Sequence, residues 1–200
     1  MKKLLLITIF SISMCKVYAQ TLFGSEANNL VKGATEVHLS AVSEIPTLII
    51  FDQNNGIAFE GLEQWFEISF RLEPTFGLKL VNTENDKLGF VHYRYCQTFN
   101  NIPVNSSMLI VHTKNNKIIS LNGNLVDRIK ISNYNATLNE PAALNKALSY
   151  VGAKQYKWQI PEEEAFIKKE QNDPNATFFP KADLMLTSNE SANFKNVKLA

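Results

Sequence analysis

The residues from Leu88 to Asn122 constrain the fold of this 200-residue chain more than any other stretch. Three segments of the run, Leu88–Phe99, Val104–Thr113 and Lys117–Asn122, are rich in the β-branched and aromatic residues that favour strands. The connections between them are short and contain the pairs Asn100–Asn101 and Asn115–Asn116, and asparagine tolerates the left-handed backbone of tight turns. The pattern therefore predicts a three-stranded antiparallel meander.

A helix is predicted after the meander. Asn139 can cap its N-terminus, Pro141 suits its first turn, and Gly152 can end it. An apolar stripe at helical spacing would pack this helix on the sheet; it consists of Leu144, Ala147, Leu148 and Val151. These elements indicate the α+β class: an antiparallel sheet meander with a packed helix, preceded by a smaller α/β N-terminal segment.

The flanking sequence predicts further short elements. Upstream they are a helix at Glu26–Val31 capped by Ser25, strands at Glu36–Leu39, Thr47–Phe51 and Leu78–Val81, a helix at Phe59–Phe70, and a polar loop at Asn82–Asp86 that divides the chain into two halves. Downstream they are a strand at Gln155–Gln159, a helix at Pro161–Glu170, and strand pieces at Phe178–Phe179, Asp183–Thr187 and Asn193–Ala200.

Residues 1–19 have the pattern of a signal peptide. The basic start MKK precedes the apolar run LLLITIFSIS, which is too short for the roughly 20 residues that span a bilayer. Val17 and Ala19 fit the small-residue cleavage pattern, so we expect cleavage between Ala19 and Gln20. A lipoprotein signal at Cys15 is the alternative, and Met14 fits it less well. The pattern predicts secretion, extracellular or periplasmic, with no membrane association after cleavage.

The charge and cysteine content of the mature chain argue against nucleic-acid binding and exclude an internal disulfide. Removing the leader takes Lys2, Lys3 and Lys16 from the 20 basic residues, leaving 17 against 19 acidic residues and a net charge of −2. Without a basic excess, nucleic acid is not expected as a partner. Cys96 is the one cysteine left, so an internal disulfide is excluded.

The sequence offers no convincing catalytic or metal site. His92 and His112 lie on adjacent predicted strands and could face each other, but a zinc site needs about three or four ligands. His92 and Cys96 are about 13 Å apart along a strand, too far to form a nucleophile pair. Glu162–Glu164 are better explained as the solvated first turn of a helix. An independent enzyme would need a site that the sequence does not show, so no cofactor is expected.

Successive side chains of a strand point to opposite faces, so the first strand of the meander is predicted to carry aromatic residues on both faces. One face is predicted to hold Val91, Tyr93, Tyr95, Gln97 and Phe99, and the other Phe90, His92, Arg94, Cys96 and Thr98. Such a strand is either covered on both sides or covered on one side with the other kept for a partner.

The stretches HYRYCQTFNNIPV and MLIVHTKNNKIISLNG resemble the fungalysin/thermolysin propeptide motif, a small domain in the prosegments of thermolysin-like metallopeptidases. The matching positions are His92, Arg94, Tyr95, Gln97, Thr98, Phe99, Asn100, Ile102, Pro103, Val104, Val111, His112, Asn122 and Gly123. The resemblance implies that these residues are structural or contact a partner. Asn101 departs from the glycine, and Cys96 from the polar residue, that are common in the family.

The stretch NEPAALNKALSYVGAKQYKW resembles the PepSY-like region that follows in such prosegments and implies a cystatin/PepSY-like fold. The expected organisation is a signal peptide at 1–19, an N-terminal prosegment part at 20–86, the propeptide-motif meander at 87–133, and a PepSY-like part at 134–200 that is truncated at its C-terminal end.

The resemblance implies a function: the secreted prosegment of a bacterial thermolysin-like (M4) zinc metallopeptidase, acting as intramolecular chaperone and inhibitor. Its partner would be the cognate catalytic domain. The chain itself would be non-catalytic, and zinc is expected only in that catalytic domain, whose HExxH pattern this sequence lacks. The alternative is a freestanding secreted binding or protease-inhibitor module of the same fold.

Overall fold

The computed structural model describes residues 20–41, 43–54, 56–127, 129, 135–188 and 197–199. The signal-peptide prediction, and Ala19 with it, lies outside these residues, and Gln20 is the first residue described. Within them, no helix is both long enough and apolar enough to cross a membrane.

The described residues form ten strands and four α-helices. The N-terminal elements are β1 (Thr21–Phe23), α1 (Gly24–Leu30), β2 (Ala34–His38), β3 (Leu48–Phe51), β4 (Ile57–Ala58), a 3₁₀ turn at Phe59–Gly61, and α2 (Leu62–Phe70). The central strands are β5 (Phe76–Asn85), β6 (Phe90–Phe99), β7 (Ile102–Lys114) and β8 (Lys117–Gly123). The C-terminal elements are α3 (Glu140–Val151), a 3₁₀ turn at Lys157–Gln159, α4 (Pro161–Glu170), β9 (Leu186–Ser188) and β10 (Val197–Leu199).

Seven strands form the main antiparallel sheet, in the order β1-β2-β3-β8-β7-β6-β5, and β4 pairs with β8. The predicted meander is confirmed as β6, β7 and β8. Farther along the chain, β9 pairs with the start of β7 in parallel, through Val104 and Leu186, and with β10 in antiparallel. The antiparallel sheet together with the helices confirms the α+β class.

Both asparagine turns of the meander are confirmed. Asn100 and Asn101 have φ angles of 50° and 62°, and Asn115 and Asn116 have φ angles of 51° and 62°. Two successive left-handed residues match the right-handed twist of the flanking strands, so these turns fix the hairpin registers.

One face of the sheet, here called the closed face, holds the core. Register places Leu22, Val37, Ile49, Leu121, Val111 and Tyr93 in one row across six strands. Helices α1 and α2 contribute Ala27 and Phe66 to the same buried cluster. Stacking of Phe59 on Tyr93, with ring centroids 4.1 Å apart, ties the approach to α2 to this face.

A second, smaller core lies at the end of β6 and the start of β7. Phe99, Val104, Val126, Ile129 and Leu186 form it, and each is less than 7% exposed. It joins the chain after β8 and the C-terminal strand β9 to the same end of the sheet.

Three predictions about the N-terminal half need correction or adjustment. The predicted loop at Asn82–Asp86 is wrong over Asn82–Asn85, because these polar residues continue β5 by pairing with β6. Helix α1 begins at Gly24 and its N-cap is Phe23 without a side-chain bond, so Ser25 is not the cap. The predicted helix at Phe59–Phe70 begins with a 3₁₀ turn and becomes α-helical only at Leu62.

The ends of α3 are as predicted, but its packing is not. Asn139 accepts a hydrogen bond from the N–H of Ala142, and Gly152 is left-handed at the C-terminus. None of its residues is buried, and Val151 is 64% exposed, so among the described residues the apolar stripe does not pack on the sheet. Helix α2 is the helix that packs there, through Leu62 and Phe66.

The C-terminal described residues form their own contacts. Tyr156 stacks on Trp158, Trp158 meets Phe179 edge-on, and the Tyr156 hydroxyl donates to the carbonyl of Leu148. Helix α4 is as predicted, whereas the strand predicted at Gln155–Gln159 is wrong, because residues Lys157–Gln159 form a 3₁₀ turn. Phe178–Phe179 are not in a strand either.

Candidate functional site

The face of the sheet opposite the core, here called the open face, is defined by two cross-strand rows. One row is Phe23, Glu36, Ile50, Ser120, His112, His92 and Glu84, and the other is Thr21, His38, Leu48, Asn122, Ile110, Arg94 and Asn82. None of these side chains is buried. All three histidines of the chain lie here, among partly exposed apolar residues.

The predicted motif residues divide between structural positions and the open face. Tyr95 belongs to the main core and Val104 to the smaller one. Arg94, His92 and His112 belong to the open face. The structure thus places the ionisable motif residues together, where they remain accessible.

A chain of four polar groups crosses the open face from the β5–β6 turn to β8. His92 Nε2 lies 3.4 Å from Asp86 Oδ2, and His92 Nδ1 lies 2.6 Å from His112 Nδ1. On the far side, His112 Nε2 lies 2.6 Å from Asn122 Oδ1. The expectation that the two histidines could face each other is therefore confirmed by a direct contact between their rings.

Asp86 is fixed at one end of this chain by backbone donors. The N–H of Phe90 donates to its carboxylate at 2.8 Å, and so does the N–H of Leu88. These bonds, that of Phe90 first, together with His92, hold the pKa of the Asp86 carboxyl below its ordinary value of 3.8 because they favour the charged form. Asp86 is therefore a carboxylate near neutral pH.

Two further ion pairs lie on the open face. Arg94 Nη2 is 3.7 Å from Glu84 Oε2, and His38 Nε2 is 2.5 Å from Glu36 Oε1. Both are partly exposed and are therefore worth little to stability. They leave the face with interspersed charges of both signs.

Gln97 is a structural residue with no exposed surface. Its side chain holds the chain after β8 through hydrogen bonds to the backbone N–H and carbonyl of Val126. The pairing of β6 with β7 shifts register between Cys96 and Thr98, because β7 carries extra residues between Pro103 and Met108, whereas the pairing of β6 with β5 stays regular there. Gln97, Thr98 and Phe99 are all buried, so both sides of β6 are covered at this end of the strand, whereas His92 and Arg94 remain partly exposed.

Steric limits explain two more motif positions. A Cβ atom on Gly123 would lie 2.2 Å from the carbonyl oxygen of Met108, so glycine allows β7 and β8 to approach. A Cβ atom on Gly77 would lie 2.6 Å from Thr98 Oγ1, which places Thr98 against a glycine of β5. Pro103 is the second residue of β7 and pairs with Thr98.

Cys96 has backbone partners and no catalytic arrangement. Its Sγ lies 3.4 Å from the carbonyl oxygen of Gln97, and it forms no disulfide. Among the residues that the structure describes, no group of three or more histidine, cysteine, aspartate or glutamate side chains could hold a metal ion.

Sequence reasoning missed Asp86 and Glu84. Both were assigned to a loop, where they have no predicted partner. The sequence carries no clear signal for them, because Asn82–Asn85 are all polar and the register of β5 shifts between Leu80 and Asn82.

Residues 76–125 match the family model described as Fungalysin/Thermolysin Propeptide Motif. The match runs from β5 through β8. This segment is a fungalysin/thermolysin propeptide motif. The propeptide motif thus begins at Phe76, before the expected segment at 87–133, and includes Glu84 and Asp86. Both expected segments around residue 86 contribute strands to one sheet, and their division into domains stays a prediction.

Curated relatives agree with the motif. The chain is 33% identical over 85 residues to Bacillolysin from Bacillus amyloliquefaciens, which covers 42% of this chain and 16% of that protein. It is 39% identical over 57 residues to Bacillolysin from Bacillus subtilis (strain 168), covering 28% of this chain and 11% of that protein. Bacillolysin from Bacillus subtilis subsp. amylosacchariticus matches to the same extent. The chain thus spans a small part of the length of these relatives.

Proposed function

We propose that this chain is the non-catalytic prosegment of a secreted thermolysin-like zinc metallopeptidase, and that it assists the folding of the catalytic domain and inhibits it until processing. The propeptide motif at residues 76–125 is the observation that supports this proposal most directly. Similarity to three bacillolysins supports it further. The chain needs no cofactor in this role, and zinc would belong to the catalytic domain.

The open face is the surface proposed to contact the catalytic domain. An antiparallel sheet can leave one face to solvent, but such a face is then usually polar. Here Leu48, Ile50 and Ile110 are partly exposed between the charged residues of the face. Apolar groups with ionisable neighbours suit a partner that covers the apolar area and matches the charges at its edge.

Binding to this face would account for both parts of the role. A large enzyme whose contacts join distant parts of the sequence folds slowly, and a bound template that stabilises its folding transition state speeds the step. If the template binds the native enzyme as well, it stabilises that state by mass action and occupies it as an inhibitor.

The C-terminal residues are proposed to be a PepSY-like region with the cystatin/PepSY-like fold. Capping of α3 by Asn139 and Gly152 supports this assignment locally. Secretion through residues 1–19 is part of the same proposal, and it places the chain outside the cytoplasm with neither nucleic acid nor membrane as partner. A mature N-terminus at Gln20, read by mass spectrometry of the exported chain, would support the cleavage site, and an uncleaved leader would contradict it.

Refolding and inhibition of a catalytic domain test the proposal. The purified chain is added to denatured catalytic domain of the Bacillus subtilis bacillolysin, and recovered peptidase activity and inhibition of the native enzyme are measured. We expect recovery to rise with chain concentration and to saturate, and the native enzyme to be inhibited. If the chain neither rescues refolding nor inhibits the native enzyme, the proposal is overturned. The freestanding binding module would then be the better account.

A matched pair of variants tests the face. Met108 is 38% exposed and lies on β7 two residues before Ile110, so both side chains are on the open face. Ile68 is 69% exposed on α2, the helix that covers the closed face. Met108→Glu should weaken both rescue and inhibition, whereas Ile68→Glu should leave them unchanged. Equal effects of the two substitutions would contradict docking on the open face.

A further inference from the structure

We propose that His92 and His112 share one proton between their Nδ1 atoms and act as a pH-sensitive link on the open face, where a second charge breaks the pair and weakens docking. The proton-sharing pair stands on geometry alone. Its effect on docking rests on the function proposed above.

The hydrogen bonds at the outer ends of the pair fix two protons. A carboxylate only accepts hydrogen bonds, so the Nε2 of His92 that faces Asp86 must carry a proton. The Oδ1 atom of Asn122 also only accepts, so the Nε2 of His112 that faces it must carry a proton as well.

The inner contact then requires a third proton. With both Nε2 atoms protonated, neutral rings would point two lone pairs at each other across 2.6 Å, which is repulsive. One proton between the Nδ1 atoms turns the contact into a charge-assisted hydrogen bond. The pair therefore holds three protons and one positive charge, and the carboxylate of Asp86 lies beside that charge.

A fourth proton is incompatible with this geometry. It would place two N–H groups head to head and two positive charges in adjacent rings. The rings must then separate, and water takes the place of the hydrogen bond. This separation is expected when acidification adds the fourth proton.

A metal ion does not fit the same arrangement as well as a proton does. Only two nitrogen atoms converge, since Asp86 and Asn122 occupy the outer sides of the rings. A zinc ion requires about three or four ligands, and the described residues contain no group of three that could hold one.

The other charges around the pair offset one another. From β5, Glu84 lies opposite His92 and pairs with Arg94 of β6, and Asp86 closes the turn. From β7, Lys114 lies over the ring of Phe90, with Nζ 4.7 Å from its centroid.

The remaining strands place few charged groups near the His92–His112 pair. From β8, Ser120 and Asn122 are uncharged, as are Leu48 and Ile50 on β3. On β2, Glu36 and His38 pair with each other. The charge of the histidine pair is therefore the main local charge that changes, and burying an extra charge under a docked partner is costly.

Nitrogen-15 NMR of the imidazole rings, recorded on the full chain as pH is lowered, tests the pair. We expect His92 and His112 to titrate together in two macroscopic steps, as coupled groups do. In His112→Gln, His92 should titrate in a single step, and the matched substitution His38→Gln should leave the pair unchanged. His92→Gln serves as a second variant, with His112 then expected to titrate in one step.

Independent single-step titrations of the two histidines would overturn proton sharing. A shift of both Nδ1 signals by equimolar zinc ion at neutral pH would overturn it too, in favour of a metal site.

Affinity for the bacillolysin catalytic domain tests the link to docking. We expect wild-type binding to be about fivefold weaker at about pH 5 than at about pH 7, the scale of one added charge in a wet interface. The double variant His92→Gln/His112→Gln has no imidazole at this position to gain a charge and should show little change. Equal wild-type affinities would overturn the regulatory part. Absence of binding at both pH values would overturn the proposed function, and the NMR titration would still decide the pair.

Discussion

The side-chain amide of Gln97 pairs with the backbone of Val126 as a neighbouring strand would. Gln97 Nε2 donates to the Val126 carbonyl at 2.6 Å, and the Val126 N–H donates back to Gln97 Oε1 at 2.9 Å. The hydroxyl of Ser107 lies 2.5 Å from the same Oε1 atom. A single buried amide thus fastens the chain after β8 to the end of β6, next to the smaller core.

Replacing this amide should be costly. Gln97→Leu leaves the buried N–H and carbonyl of Val126 without these partners, and each unsatisfied buried group costs about 1–3 kcal/mol. We expect the free energy of unfolding to fall by about 3 kcal/mol, measured by urea denaturation. Gln64→Leu, on the exposed side of α2, makes the same chemical change and should stay within about 0.5 kcal/mol. Similar losses in both variants would contradict the role of the amide.

Gly123 should resist even the smallest side chain. Gly123→Ala would bring a Cβ atom within 2.2 Å of the Met108 carbonyl oxygen, so β7 and β8 would have to move apart. We expect a loss of about 2–3 kcal/mol in the free energy of unfolding, as for other overpacked sites. Gly61→Ala is the control, because nothing lies within 4 Å of its added Cβ atom. Thermal or urea unfolding that does not separate these two variants would disprove the close approach.

Asn101 should gain from replacement by glycine. It has a φ angle of 62°, a conformation in which glycine is unstrained and a β-branched residue is not. Asn101→Gly should raise the free energy of unfolding by about 0.5 kcal/mol, and Asn101→Val should lower it by about 1–2 kcal/mol. The two values, compared in urea, should bracket the wild type, and the reverse order would show that the turn is not left-handed at this residue.

The meander could be predicted from sequence because its signals are local. Strand propensity and the two asparagine pairs act within a few residues of where they occur, and both turns formed as expected. The caps of α3 at Asn139 and Gly152 are local signals of the same kind. Elements of this type are specified by residues that lie close to them in sequence.

The open face could be predicted only in part because it depends on register. Extra residues in β7 shift its pairing with β6 between Cys96 and Thr98, and the loop-like composition of Asn82–Asn85 does not prevent these residues from pairing with β6 as part of β5. Asp86 meets His92 only because β5 runs that far. The packing of α3 likewise depends on tertiary contacts, which an apolar stripe alone does not guarantee.

Ionisation of Tyr95 should lower the stability of the fold at alkaline pH. Burial first, and the negative charges of Glu63 and Tyr93 next, raise the pKa of the Tyr95 phenol above its ordinary value of 10.0. The unfolded chain therefore releases this proton at lower pH than the folded chain does. The corresponding stability is complete below about pH 10 and is lost as pH rises from there through the folded-state pKa.

Tyr95→Phe should remove this loss. The urea midpoint of the wild type should fall more steeply between about pH 9 and 11 than that of Tyr95→Phe, and phenolate absorbance should show one tyrosine fewer ionising late. Tyr150→Phe is the matched control, since Tyr150 is 93% exposed and its removal should leave the slope of the wild type unchanged. Parallel slopes for the wild type and Tyr95→Phe would show that the phenol at position 95 ionises as freely as in the unfolded chain.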